Sequence, residues 1–304
     1  MGEISIRTAT SRPELEAVLD VVRRVSGEAL PAVEELEHVL EVEPGSAFYL
    51  ARVDDAVAGS GVGRPSSIEG CFYAIPRVLP DFRGRGVGTA LYGALSNQAQ
   101  SAGRESLLSR VREDDEGSLR FARKRGFEEI SREIPVVLLL ANVEDAAVEA
   151  PEGVEIVSLS ERPDLAEGAW RVDGEASHDI PVEGMTNRPF EEWRALYLEG
   201  PSAVPEATLA AVADGEVVGY ASLFAYPGGS AEHGLTAVLR PWRGRGIGTA
   251  LKRTQIAWAK RAGYTEIRTA NDEANVAMRG INARLGYVAE PASLLLRGPR
   301  ASRS

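Results

Sequence analysis

The sequence predicts an α/β chain built as two consecutive mixed-sheet (α+β) domains. Three observations carry this. The chain has 304 residues, enough for two domains of ordinary size. The phrase RGRGVGTAL at Arg83 returns as RGRGIGTAL at Arg243, 160 residues later. That register holds without a gap: Ala102-Gly103 falls on Ala262-Gly263, and Gly126-Phe127 on Gly286-Tyr287. Only two copies exist, each of domain size, which makes a tandem pair and not a solenoid.

In the first copy the run EISIRTA reads as a strand, followed by helical patterns from Pro13 and from Pro31. SAFYLARV and AVAGSGVG are strands joined by a turn at Asp54-Asp55, and CFYAIPRVL is a further strand. The glycine phrase then opens a helix through about Ala102. The strand SLLSRV, a helix near Gly117–Lys124 and the strand IPVVLLL close the copy. The second copy repeats the order. VEIVSL precedes helices near Pro163 and Phe190, and ATLAAVADGEVVGYASLFAY is a hairpin turning at Asp214-Gly215. AEHGLTAVL, the second glycine phrase with its helix, EIRTA, a helix through Ala283 and the extended run YVAEPASLLL complete it. The acidic segment NVEDAAVEAPEG marks the boundary, giving domains of 1–145 and 152–304.

Composition narrows the function. At 44% hydrophobic residues the chain can bury two cores. The start, MGEISIRTATSRPELE, has no apolar core of a secretory signal, and IPVVLLLANV is too short to span a bilayer. One cysteine, Cys71, excludes an internal disulfide, and three histidines beside it argue against a metal site. A cytoplasmic protein is expected. The formal charge of -11 argues against nucleic acid as a partner; it suits a cationic substrate as well as mere solubility.

Each glycine phrase lies between an apolar strand and an amphipathic helix. The first amides of such a helix have no intrahelical partner and carry the positive end of the helix dipole, a setting for a phosphate. Glycine lets the backbone come close, and Arg83, Arg85, Arg243 and Arg245 add charge. A Walker loop needs a Gly-Lys pair, which is absent. A dinucleotide fingerprint needs a third glycine where Thr89 and Thr249 stand. The pattern that fits is R-x-x-G-x-G, from Arg83, Gly86 and Gly88 and again from Arg243, Gly246 and Gly248.

Placed between the fourth strand and third helix of each copy, with a GF or GY before a later strand, this pattern resembles the acyl-coenzyme A loop of the GNAT superfamily of N-acetyltransferases. The resemblance covers nearly the whole chain. It implies acetyl-coenzyme A as cofactor and a small-molecule primary amine as acceptor. It also implies cofactor contacts from Val238, Leu239, Arg243, Gly244, Arg245, Gly246, Ile247, Gly248 and Thr249, with Val78, Arg83, Gly84, Arg85, Gly86, Gly88 and Thr89 as first-copy counterparts. A backbone N–H near Val238 would receive the oxyanion.

The two copies differ where chemistry is expected. An ammonium cannot attack a thioester until a base removes its proton. Glu232 stands eleven residues before Arg243, the spacing of the general-base glutamate in the histone-acetylating branch of the family; Phe72 and Tyr73 occupy this region of the first copy. His233, the alternative base, should point to the opposite sheet face. Asn275 resembles an asparagine that contacts the pantetheine arm, with Asp115 as its counterpart. The family's acid is a tyrosine four residues before the GF glycine, where this chain has Asn282 and Ala122. Asn282 can position a water or thiol but has no proton to give readily. His178, Asp179 and Glu183 lie in the segment that walls acceptor sites in the family. Ordinary roles compete: a paired surface Glu232, a core His233, a helix-capping Asn275. The expectation is an N-acetyltransferase working in the second copy. A non-catalytic acyl-coenzyme A sensor or scaffold, and an enzyme acting on protein amino groups, are the alternatives.

Overall fold

The computed structural model of the chain describes residues 2–27, 30–144, 147–179 and 181–301. The first half runs β1 (Ile4–Ala9), α1 (Arg12–Ser26), α2 (Val33–Val42), β2 (Ala47–Val53), β3 (Ala56–Pro65), β4 (Cys71–Val78), α3 (Val87–Ser101), β5 (Ser106–Arg112), α4 (Glu116–Arg123) and β6 (Glu128–Leu139). The second runs β7 (Glu155–Ser158), α5 (Ala166–Ser177), α6 (Phe190–Tyr197), β8 (Leu209–Ala213), β9 (Glu216–Tyr226), β10 (Ser230–Val238), α7 (Ile247–Arg261), β11 (Glu266–Asp272), α8 (Val276–Arg284), β12 (Val288–Ala289) and β13 (Ser293–Pro299).

Local chemistry accounts for the element ends. Glu14 accepts from the Thr10 and Ser11 amides at 3.1 and 3.0 Å, satisfying donors at the start of α1. At the β8–β9 turn Asp214 and Gly215 both take positive φ, 51° and 80°, the two-residue geometry that matches strand twist. The expected final run YVAEPASLLL is broken: β12 ends at Ala289, Pro291 follows, and β13 begins at Ser293.

The chain forms two compact units. Unit 1 comprises the described residues up to Arg132, with Val182–Gly184 and those from Ser293 on; unit 2 comprises Glu133–Pro181 and Met185–Ala292. These units depart from the linear domains 1–145 and 152–304 by one strand each. The physical reason is pairing. β13, from the end of the chain, lies antiparallel to β5 of unit 1, with Ser293 opposite Arg112 and Pro299 opposite Ser106. β6, from the end of the first copy, lies antiparallel to β11 of unit 2, with Glu133 opposite Asp272 and Leu139 opposite Glu266.

In unit 1, β1 to β4 form an antiparallel sheet and β4 meets β5 in parallel. Leu91 and Leu95 of α3, Leu119 of α4, Phe72 and Leu107 share its main core. In unit 2 the sheet has helices on both faces. Ile247 and Leu251 of α7 pack with Ala211 and Ala221, whereas Val172 of α5 and Trp193 of α6 pack with Ala210, Tyr220 and Ala237. Neighbouring residues of one strand thus serve opposite faces, as the pleat requires.

Candidate active site

In both units the parallel pair opens after three residues. Cys71–Tyr73 pair with Ser106–Leu108 in unit 1, and Ser230–Glu232 with Glu266–Arg268 in unit 2. Beyond that point the facing edges of the two strands have no ladder partner in each other. The two strands part there, which leaves the facing peptide groups without that ladder's hydrogen bonds.

The helix that starts beyond each parting is capped by a left-handed glycine, Gly86 at φ 93° and Gly246 at φ 86°. Gly84 and Gly244, both at φ 76°, have open space where a side chain would stand. The leading arginines hold the turn in shape. Arg83 Nε donates to the Val78 carbonyl at 3.3 Å, and Arg243 Nε donates to the Val238 carbonyl at 2.8 Å. Arg85 lies over Phe82 and Arg245 over Trp242, at 5.5 and 4.5 Å to the ring centroids. Ile247 is buried, Leu239, Gly248 and Thr249 are half-buried, and the glycines and arginines of the loop are exposed. Thr89 is exposed and accepts from Arg125 Nη2 at 2.8 Å; Leu285 stands at the corresponding place in the second copy.

The units differ along the strand that leads to the loop. In unit 1 the β3–β4 register is unbroken from Phe72 to Val78. In unit 2 the β9–β10 register shifts between His233 and Thr236, so Gly234 and Leu235 oppose Ser222 alone. A Cβ on Gly234 would sit 2.2 Å from Ser222 Oγ and 2.8 Å from a Phe224 ring carbon, so any larger residue would have to displace these side chains.

Glu232 is the last residue of β10 paired to β11 and stands directly before this bulge. Its cross-strand partner is Phe224, whose ring packs on Tyr197 of α6 at 6.0 Å. Directly opposed residues share a face, so Glu232 is on the α5/α6 side. His233 is on the other side, 2% exposed beneath α7. Gln255 Nε2 donates to the Ala207 carbonyl at 2.8 Å, which turns Gln255 Oε1 toward His233 Nδ1 at 2.7 Å. That oxygen can only accept, so Nδ1 carries the proton and Nε2 accepts from the Tyr287 hydroxyl at 2.6 Å. Burial, then the neighbouring Lys252, hold His233 well below the usual imidazole range. His233 is a neutral core residue, separated by the sheet from the Glu232 face.

Asn282, on α8, is 2% exposed. Its Nδ2 donates to Asn271 Oδ1, and its own Oδ1 is buried without a protein partner. Asn275 Oδ1 caps α8 by accepting from the Met278 amide at 3.1 Å, as Asp115 caps α4 through the Ser118 amide at 3.0 Å. Of the loop residues after α5, Asp179 accepts from Arg240 Nη2 at 2.6 Å and from Arg243 Nη2. These bonds, Arg240's first, hold its carboxyl below the usual range. His178 Nδ1 contacts the Gly174 carbonyl at 2.9 Å, and Glu183 is exposed and belongs to unit 1.

One ionisable group of this face had no sequence signal of its own. Asp173 on α5 is pushed up to about 6 by burial, against the pull of Trp193 and Arg188. The visible hint was indirect: the first two helices of the second copy carry Trp170, Phe190, Trp193 and Tyr197, whereas those of the first copy carry no Phe, Tyr or Trp.

A cradle suited to a diphosphate, parted strands with peptide groups released from the ladder and a buried orphan acceptor at Asn282 fit an elongated anionic ligand with amide N–H groups. Among the described residues no group of His, Cys, Asp and Glu could hold a metal, and no helix is long and apolar enough to cross a membrane.

The model of the acetyltransferase (GNAT) family matches the chain twice, at residues 16–127 and 175–287. No curated protein matches the chain. Among solved structures, a tandem GNAT protein from the clavulanic acid biosynthesis pathway superposes with a TM-score of 0.80 at 21% identity, covering 99% of this chain and 100% of that one. A GCN5-related N-acetyltransferase from Sphaerobacter thermophilus gives 0.75 at 22% identity, over 99% and 97%. A GNAT-family acetyltransferase from Colwellia psychrerythraea gives 0.61 at 13%, over 98% and 100%. At these identities the likeness is one of fold.

Proposed function

Since the chain belongs to the GNAT acetyltransferase family as a tandem of two such domains, an acyltransferase using acyl-coenzyme A, we propose that it transfers acetyl from acetyl-coenzyme A to a primary amine of a small molecule, with the chemistry in unit 2. The observation that carries this reading is the placement of Glu232. It ends the β10–β11 pairing beside a bulge that unit 1 lacks, where unit 1 has Phe72.

The amides of Arg245 to Thr249 at the start of α7, with Arg245, would hold the diphosphate. Arg243 keeps the turn in register through the Val238 carbonyl. Asn282 Oδ1 would accept from the ligand between the parted strands, and the peptide groups near Val238 would receive the oxyanion. The bound cofactor supplies an acyl group activated as a thioester. Glu232 takes the proton of the acceptor's ammonium, directly or through water, and frees the nitrogen lone pair. Asn282 offers no acid, and a thiol of pKa roughly 8–9 is a leaving group that does not require one. Unit 1 keeps its loop and lacks the base, which suits a second, non-reacting cofactor site.

Loop variants separate the units. Gly246→Val places a β-branched residue at φ 86°, a strain of about 1–3 kcal/mol in the turn itself. Turnover of acetyl-coenzyme A with a panel of primary amines should fall at least about ten-fold, the equivalent of 1.4 kcal/mol. Gly86→Val should leave turnover intact and reduce cofactor stoichiometry from two to one by calorimetry. Loss of turnover in Gly86→Val alone would transfer the chemistry to unit 1.

A further inference from the structure

The two cradles differ in one cation. In unit 1 the Arg125 guanidinium, just past α4, donates through Nη2 to Thr89 Oγ1 at 2.8 Å and through Nη1 to the Phe121 carbonyl at 3.0 Å. Thr89 is the third residue of α3, in the turn whose first amides, at Val87 and Gly88, have no partner inside the helix. The guanidinium is therefore fixed beside the anion-binding end of α3, where it adds a full charge to the helix dipole.

Packing holds it there. Its carbon lies 3.5 Å from the Phe121 ring centroid and 5.5 Å from that of Tyr92. The Phe121 ring rests on the first turn of α3: a Cβ added to Gly88 would meet it at 3.2 Å. Tyr92 is fixed by its hydroxyl, which donates to the Pro299 carbonyl at 2.8 Å. Among the described residues no carboxylate forms an ion pair with Arg125, and its two hydrogen bonds leave most of its N–H donors over. An arginine held between rings, with its charge uncompensated and donors to spare, is pre-organised for a phosphate oxygen.

Unit 2 replaces each part of this arrangement. Leu285 stands for Arg125, Ile281 for Phe121 and Lys252 for Tyr92. Lys252 is 1% exposed, with its Nζ over the Tyr287 ring, and so does not take over the task of Arg125.

Resting on the reading of unit 1 as a non-reacting cofactor site, we propose that Arg125 is a diphosphate ligand peculiar to unit 1, and that it makes unit 1 the tighter of two coenzyme A sites. A reacting site must release coenzyme A at every cycle, and unit 2 lacks the extra cation. A non-reacting site is under no such requirement. Unit 1 thus stays occupied at concentrations where unit 2 still exchanges.

Calorimetric titration of the whole chain with coenzyme A tests this. Two classes of site are expected, about ten-fold or more apart in Kd, the tighter one absent from Gly86→Val and kept in Gly246→Val. Arg125→Leu, which supplies the residue of unit 2, should weaken the tighter class about ten-fold or more and leave the weaker class where it was. It should also flatten the salt dependence of the tighter constant, a change that a merely structural role would not bring. Arg125→Lys, which keeps the charge and loses the planar fork, should recover the salt dependence and part of the affinity. Two classes of equal affinity in the wild-type chain overturn the proposal, whether or not the variants fold. So does a tighter class that survives Arg125→Leu or vanishes in Gly246→Val. A single site, lost in Gly246→Val, sinks the reading of unit 1 as a cofactor site together with the proposal. Two such classes without any turnover of acetyl-coenzyme A with primary amines would keep the role of Arg125 and sink the acyl-transfer reading.

Discussion

Lys252→Met makes the protein more stable at pH 7 and adds little near pH 10. Lys252 is on α7, 1% exposed, with its Nζ 5.6 Å from the Tyr287 ring centroid and no carboxylate paired to it among the described residues. Burial pushes its ammonium down to about 7, from an ordinary value of 10.5. The sign follows from proton binding. Between those two values the unfolded chain holds the proton and the folded chain releases it, so stability rises with pH across the window. Below about 7 both states are protonated and the full cost is present. At about 1.4 kcal/mol for each unit, that cost is on the order of 3–5 kcal/mol. Methionine keeps the volume and removes the charge. A gain of that order corresponds to several degrees in Tm, at roughly 2–4 °C for each kcal/mol in a domain of this size. Thermal melts of both proteins from pH 6 to pH 10 check it. Parallel curves would mean that Lys252 enters the fold with its charge already compensated.

Glu232→Gln lowers turnover at neutral pH by about 10²–10⁴-fold, the range of a positioned general base. The cofactor's Michaelis constant stays nearly unchanged, because the α7 amides that hold the diphosphate are untouched. The deficit should shrink as pH approaches the acceptor's own pKa, where free amine no longer depends on a protein base. A pH–rate profile of the variant that parallels the wild type would remove Glu232 from proton transfer. His233 is no substitute, since its protonated Nδ1 and its occupied Nε2 leave no free lone pair.

Much of this was legible in the sequence, and the reasons are local. Glycines that must take positive φ, prolines at helix starts and a phrase repeated in register mark the backbone directly, so the loops of Gly86 and Gly246 could be placed by reading alone. Glu232 could be picked out by its distance from the loop, and the alternation of strand side chains put His233 on the other face. What escaped depends on pairing or on company. The bulge follows from the register of β10 against β9; its one trace was Gly234 inside an otherwise regular strand. Asp173 reads as an ordinary helix-surface aspartate until Trp193 and Tyr220, twenty and 47 residues away, close around it. ASLLL looks equally suited to either sheet, so its partner β5 could not be told from β11.

That last strand sets an order of events during synthesis. The edge of β5 stays bare until Ser293–Pro299 has been translated, some 180 residues after β5 itself. The ribosome therefore delivers an incomplete first sheet and holds it so for most of the elongation time. A nascent chain cut anywhere before Ser293 has an unsealed strand with apolar Leu107 and Leu108 on it, a natural target for chaperones or for the edge of another molecule. Gene fragments split at the sequence repeat would inherit the same exposed edge, and joining the two copies in one reading frame guarantees that the missing piece arrives at equal dose.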